Sequence, residues 1–144
     1  VARDRSAHPR RRARRLDQRE LGAIFAGGVV GALLRVWLAQ RFATAPAAWP
    51  WTIFAINISG SFILAWLATR LQERLPLSTY LAPLLGTGFC GAYTTFSTMQ
   101  LEILQIVEHH RYGLAASYAG ASIVGGNLAI WAAIATARRV RVGR

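Results

Sequence analysis

Several side chains in this sequence could handle an ion without being charged themselves. Asn57, Tyr118 and Ser122 are hydrogen-bonding residues set inside long apolar runs. Residues 88–98, GFCGAYTTFST, bring hydroxyls and aromatic rings into another such run, and Phe96 and Met99 stand three apart on what would be one helix face. Tyr118, Ser122 and Gly126 recur at i, i+4 and i+8, so they too share a face. An aromatic ring is negative on its face and positive at its edge. Ring edges, an amide and hydroxyls together present weak positive partial charge, and no carboxylate lines that set. Such chemistry suits a small, strongly hydrated anion better than a cation. Each residue also has a plainer use. Asn57 could join two helices for about 1 kcal/mol, Tyr118 and Ser122 could bond to their own helix, and Phe96 and Met99 could simply pack.

The elements that would position these residues follow from hydropathy. One compact domain is the prior for 144 residues, and the 53% of apolar residues are gathered into blocks. Runs of about 20 residues with few charges read as membrane helices. Four occur, at about 21–40, 51–70, 80–107 and 112–137. Arg35 is the one charge within the first and Glu102 the one within the third. The third would measure roughly 42 Å as a continuous helix, longer than the ~30 Å hydrocarbon core. Gly86, Gly88 and Gly91 weaken it, and Thr94, Thr95, Ser97 and Thr98 can replace lost backbone bonds. Irregular backbone at that depth survives only inside protein or along a polar cavity, and the carbonyls freed by a broken helix can hold ions. The expected fold is an all-α membrane protein with four transmembrane helices, the third broken near its middle.

Charge orients this arrangement. The net charge of +11 is carried by arginine alone. Eight arginines precede the first run, Arg70 and Arg74 follow the second, and four more close the chain, against Arg41 and Arg111 in the opposite loops. With four spans that bias is fourteen to two, and the positive-inside rule puts both termini in the cytoplasm. Residues 1–19 are expected to form a basic, disordered cytoplasmic tail, 20–138 the membrane domain, and 139–144 a basic C-terminus. The tail has no aromatic or helical reading element, so anionic lipid rather than nucleic acid is its expected partner. Ala43-Thr44-Ala45 resembles a signal cleavage site, but the run before it is too long and contains Arg35. The Gly27/Gly31 stripe serves close helix packing, either within one subunit or between two. The single Cys90 precludes an intrachain disulfide.

Three strings carry a specific resemblance. GGVVGALLR in the first run, NISGSF in the second and GFCGAYTTFST in the third resemble the Fluc (CrcB) family of fluoride channels, in order and spacing across all four runs. The resemblance implies a fluoride-selective channel in the plasma (inner) membrane, working as an antiparallel dimer and conferring fluoride resistance by passive export. It implies a structural sodium ion (Na+) shared by both subunits and held by the backbone carbonyls of Gly91 and Thr94. Asn57, Phe96, Met99, Tyr118 and Ser122 fall at the family's fluoride-pore positions, and Arg35 at its structural arginine near the vestibule. Glu102 matches a carboxylate on the same half-helix. Two departures stand out: Met99 replaces a second Phe and lacks its ring edge, and Gly126 stands where some members continue the polar track with Ser.

The charge bias bears on assembly. Subunits that insert both ways need nearly balanced flanks, so a fourteen-to-two split predicts one orientation and an oppositely oriented homologue as partner. A non-conducting or partner-dependent subunit is therefore the alternative to a self-sufficient channel. A four-span multidrug exporter would need a carboxylate inside its first span, where this chain has only Arg35. An enzyme is disfavoured, because no nucleophile–base pair or metal cluster is visible.

Overall fold

The computed structural model describes residues 17–74 and 80–139, and no strand occurs among them. Helix α1 spans Gln18–Arg41, capped by Asp17, whose carboxylate accepts from the Arg19 amide at 3.0 Å. Helix α2 spans Trp51–Arg74 and starts directly behind Pro50. Helix α3 is π-helical through Pro83–Cys90 and finishes with an α-helical turn, Gly91–Tyr93. Helix α4 spans Phe96–Glu108 and α5 spans Tyr112–Arg139. The basic tail expected before the membrane domain lies outside the described residues up to position 16, as do residues 140–144 of the C-terminus.

Among the described residues three helices are long and apolar enough to cross a membrane: α1, α2 over Trp51–Leu71, and α5. Helix α4, with 13 residues, reaches only about 20 Å at 1.5 Å per residue. The surface also belongs to a membrane protein. Phe25, Leu33, Phe96, Ile123 and Trp131 are among many large apolar side chains left exposed, more than water tolerates on a monomer.

Packing pairs α1 with α3 and α2 with α5. The first contact is made backbone to backbone. A Cβ on Gly27 would strike the Leu84 carbonyl, one on Gly31 the Phe89 carbonyl, and one on Gly88 the Ile24 carbonyl. The small-residue stripe of α1 is therefore spent inside the subunit, on α3, rather than left for a second copy. Two buried clusters complete the interior. Ile53, Ile56 and Tyr93 form one. Ile106, Ala115 and Tyr118 form the other, closed over by Trp49 and Phe54. Met99 packs against both. At one end the α4–α5 turn is tied to the α1–α2 loop, where Arg111 Nη1 donates to the Ala47 carbonyl at 2.7 Å.

Candidate functional site

Between α3 and α4 two residues leave the helix. Thr94 (φ −76°, ψ 154°) and Thr95 (φ −148°, ψ 116°) are extended, and Asn57 of α2 reaches across to the second. Its Nδ2 donates to the Thr95 carbonyl at 3.0 Å, and its Oδ1 accepts from the Thr95 amide at 2.9 Å. One side-chain amide thus does for Thr95 what a neighbouring strand would do. Thr95 is only 6% exposed, so water could not take over those bonds.

The same contacts redirect the helical ladder. In a continuous helix the Thr95 amide would bond the Gly91 carbonyl, and the Thr98 amide the Thr94 carbonyl. Here the Thr95 amide goes to Asn57, and the Thr98 amide goes to Thr95 Oγ1 at 3.2 Å, an N-cap for α4. The carbonyls of Gly91 and Thr94 are thereby released from their usual donors. Gly91 is exposed and its Cα faces open space. Gly60 makes room on the other side, since a Cβ there would collide with Thr94 Cγ2. Thr94 Oγ1 is anchored to the Cys90 carbonyl at 3.0 Å. Two free carbonyls are a donor set suited to a hard alkali cation. Among the described residues no group of three His, Cys, Asp or Glu side chains could hold a metal.

A second polar group lies between α4 and α5. Tyr118 is 0% exposed, and its hydroxyl donates to Glu102 Oε2 at 2.8 Å. One helical turn further along α5, the buried Ser122 Oγ has no hydrogen-bond partner. Glu102 also lines a cavity of about 130 Å³ together with Gln105, Ile106 and residues 44–48 and 50 of the α1–α2 loop. Glu102 therefore joins the loop cavity to the buried Tyr118 hydroxyl, with Ser122 one turn further along α5.

The residues singled out from sequence fall into distinct surroundings. Asn57 sits at the helix interruption, while Tyr118 and Ser122 follow one another along α5. Phe96 and Met99 share α4 but not an environment: Phe96 is 72% exposed, whereas Met99 fills the space between the two buried clusters. Arg35 is half-buried, and its Nε has no partner. The Tyr118 contact to Glu102 and the Thr95 contact to Asn57 were not foreseen. Glu102, as the one carboxylate within its apolar run, was the available signal for the first. Nothing in the sequence pairs position 57 with position 95.

Long apolar helices with amide and hydroxyl groups packed between them are the make-up of a multi-pass membrane protein. Comparison with known proteins gives the family. The profile of CrcB-like proteins (Camphor Resistance, CrcB) matches residues 22–134. A fluoride-specific ion channel, FluC 1 of Mycolicibacterium paratuberculosis, is 56% identical over 128 residues, covering 89% of this chain and 97% of the relative. FluC 1 of Mycobacterium tuberculosis is 52% identical with the same coverage, and FluC 2 of Geobacillus kaustophilus is 39% identical over 83% of this chain and 93% of its own. The chain belongs to the Fluc (CrcB) family of fluoride ion channels.

Proposed function

We propose that this chain conducts fluoride selectively across the plasma membrane, as one subunit of an antiparallel dimer. The observation that carries this is the fully buried Tyr118, bonded to Glu102 and followed by the unpartnered Ser122 hydroxyl, inside an otherwise apolar body. Buried polar groups without partners are costly unless something visits them. With α3 and α4 taken as two halves of one span interrupted at Thr94–Thr95, the chain crosses four times, and its arginine bias puts both termini in the cytoplasm. Asn57, Phe96, Met99, Tyr118 and Ser122 then line or border the path.

A sodium ion would sit on the freed carbonyls of Gly91 and Thr94 and pin the two subunits together. Its contribution is structural charge at the membrane centre. Flux would be passive, and an inside-negative potential drives anions outward by about 2.3 kcal/mol per 100 mV.

The arginine distribution favours a second reading, in which the chain needs a homologue of opposite orientation. One experiment addresses both. The chain is reconstituted alone in potassium-loaded liposomes, and fluoride release is followed with an electrode after valinomycin. Fast fluoride efflux without chloride efflux supports a self-sufficient channel. Efflux only on co-reconstitution with an oppositely biased homologue supports the heterodimer. No efflux in either case overturns the proposed function.

A further inference from the structure

Trp49 lies in the α1–α2 loop, directly ahead of α2. Its indole Nε1 is buried and has no hydrogen-bond partner, although an indole N–H is a donor only and is normally paired when buried. The ring is held on three sides, with centroids 5.7 Å from Tyr118 at 74°, 6.0 Å from Phe54 at 70° and 5.6 Å from Trp51 at 41°. It packs on the cluster of Ile106, Ala115 and Tyr118. Its chain neighbours Ala48 and Pro50 line the cavity of about 130 Å³ that also contains Glu102. A donor without a hydrogen-bond partner thus packs against Tyr118, on a residue whose two chain neighbours line the cavity.

Few buried donors remain unpaired around Tyr118. Tyr118 has one hydroxyl proton, and it is committed to Glu102. Beside Tyr118, the buried donors still without a partner are the Trp49 N–H and the Ser122 O–H. An anion passing a carboxylate needs compensating donors that do not have to be freed first. A small hard anion gains most from a preorganised N–H, because a charged hydrogen bond is short and strong.

We propose that the Trp49 indole N–H is a fluoride-binding donor at the entrance to the Tyr118–Ser122 track. This rests on the channel function proposed above. It makes Trp49 a specificity residue, since larger, softer chloride accepts a weaker bond from the same fixed donor.

The deciding measurement is the ¹⁵N–¹H indole spectrum of the full chain in lipid nanodiscs during a fluoride titration. Chloride at equal ionic strength is the control, and the Trp49 signal is assigned by its loss in Trp49→Phe. A saturable displacement of the Trp49 resonance with fluoride, absent with chloride and absent at Trp51, is expected. An unmoved Trp49 resonance overturns the proposal whatever the flux does. Replacing Trp49 by benzothienylalanine, which keeps the ring shape and lacks the N–H, should lower fluoride efflux roughly tenfold. Efflux at the wild-type rate would also overturn it. Absence of flux from the wild type, alone or with an oppositely oriented homologue, would instead sink the channel function, and the titration would still decide whether the indole takes the anion.

Discussion

Asn57 and Thr95, 38 residues apart in sequence, exchange two hydrogen bonds, at 3.0 Å from the Asn57 amide nitrogen and at 2.9 Å to its oxygen. That pair spans α2 and the segment between α3 and α4. It holds two extended residues where helix would otherwise continue, and it takes the Thr95 amide away from Gly91. It also leaves the Thr95 hydroxyl free to cap α4. Asn57→Ala strands two buried backbone groups and should cost about 2–4 kcal/mol. Thr95→Ala removes the cap and the hydroxyl contacts to Ser97 and Thr98 but keeps both Asn57 bonds, and should cost about 1 kcal/mol. Size-exclusion profiles after a thermal ramp would rank the two, and equal losses would refute the assignment of Asn57 as the bridge.

The glycines of α1 give a sharper contrast. Gly27→Ala drives a methyl into the Leu84 carbonyl, which belongs to backbone and cannot swing aside. Destabilisation of about 1–3 kcal/mol is expected. Gly28→Ala, one residue on, meets only the Gly88 carbonyl at 3.9 Å and should be near neutral. Yield of monodisperse protein in detergent measures both. The α1–α3 packing described here would be wrong if the two behaved alike.

Gly60 and Thr94 should be coupled. Gly60→Ala collides with Thr94 Cγ2, while the Thr94 hydroxyl is held by the Cys90 carbonyl, so the whole residue must shift. Residues in contact show interaction energies of about 0.5–3 kcal/mol. Thr94→Ser removes the methyl and keeps the hydroxyl, and should rescue Gly60→Ala. If the Thr94 carbonyl holds sodium, Gly60→Ala also weakens the thermal stabilisation that sodium provides over N-methylglucamine. Thr94→Ser restores it in the double variant. Wild-type protein equally stable in both cations would remove sodium from the proposal.

Phe96 offers a test of the proposed pore that leaves the fold alone. Its ring is 72% exposed, so Phe96→Leu should change stability by less than about 0.5 kcal/mol. Loss of a ring-edge contact should slow fluoride efflux up to roughly tenfold. Efflux at the wild-type rate, measured with whichever partner wild type requires, would take Phe96 out of the path. Met99→Leu is expected to act differently and affect mainly stability, because Met99 fills space between two clusters.

Much of the architecture was legible in one dimension. Apolar runs of some 20 residues specify helices wherever lipid is the solvent, because no other local structure satisfies its own backbone. The crowding of glycines and hydroxyls at 88–98 includes Thr94 and Thr95, the two extended residues between α3 and α4. The π-helical course of Pro83–Cys90 was not legible. It accompanies a backbone-to-backbone approach of α1, set by glycines some 60 residues upstream rather than by its own residues.

Chemistry separated along the same line. Residue types alone gave the expectation of an anion path built from amides, hydroxyls and ring edges, since the runs hold almost no charge, whereas the structure sets the Glu102 carboxylate on Tyr118. Which donors are spent and which remain free was decided only by the tertiary structure. Asn57 is committed to Thr95, the Tyr118 proton to Glu102, and the Trp49 and Ser122 donors stay unpaired. A hydrogen bond depends on a few tenths of an ångström and on angle. Such distances arise from how α2, α4 and α5 pack together, and no spacing within a single helix encodes them.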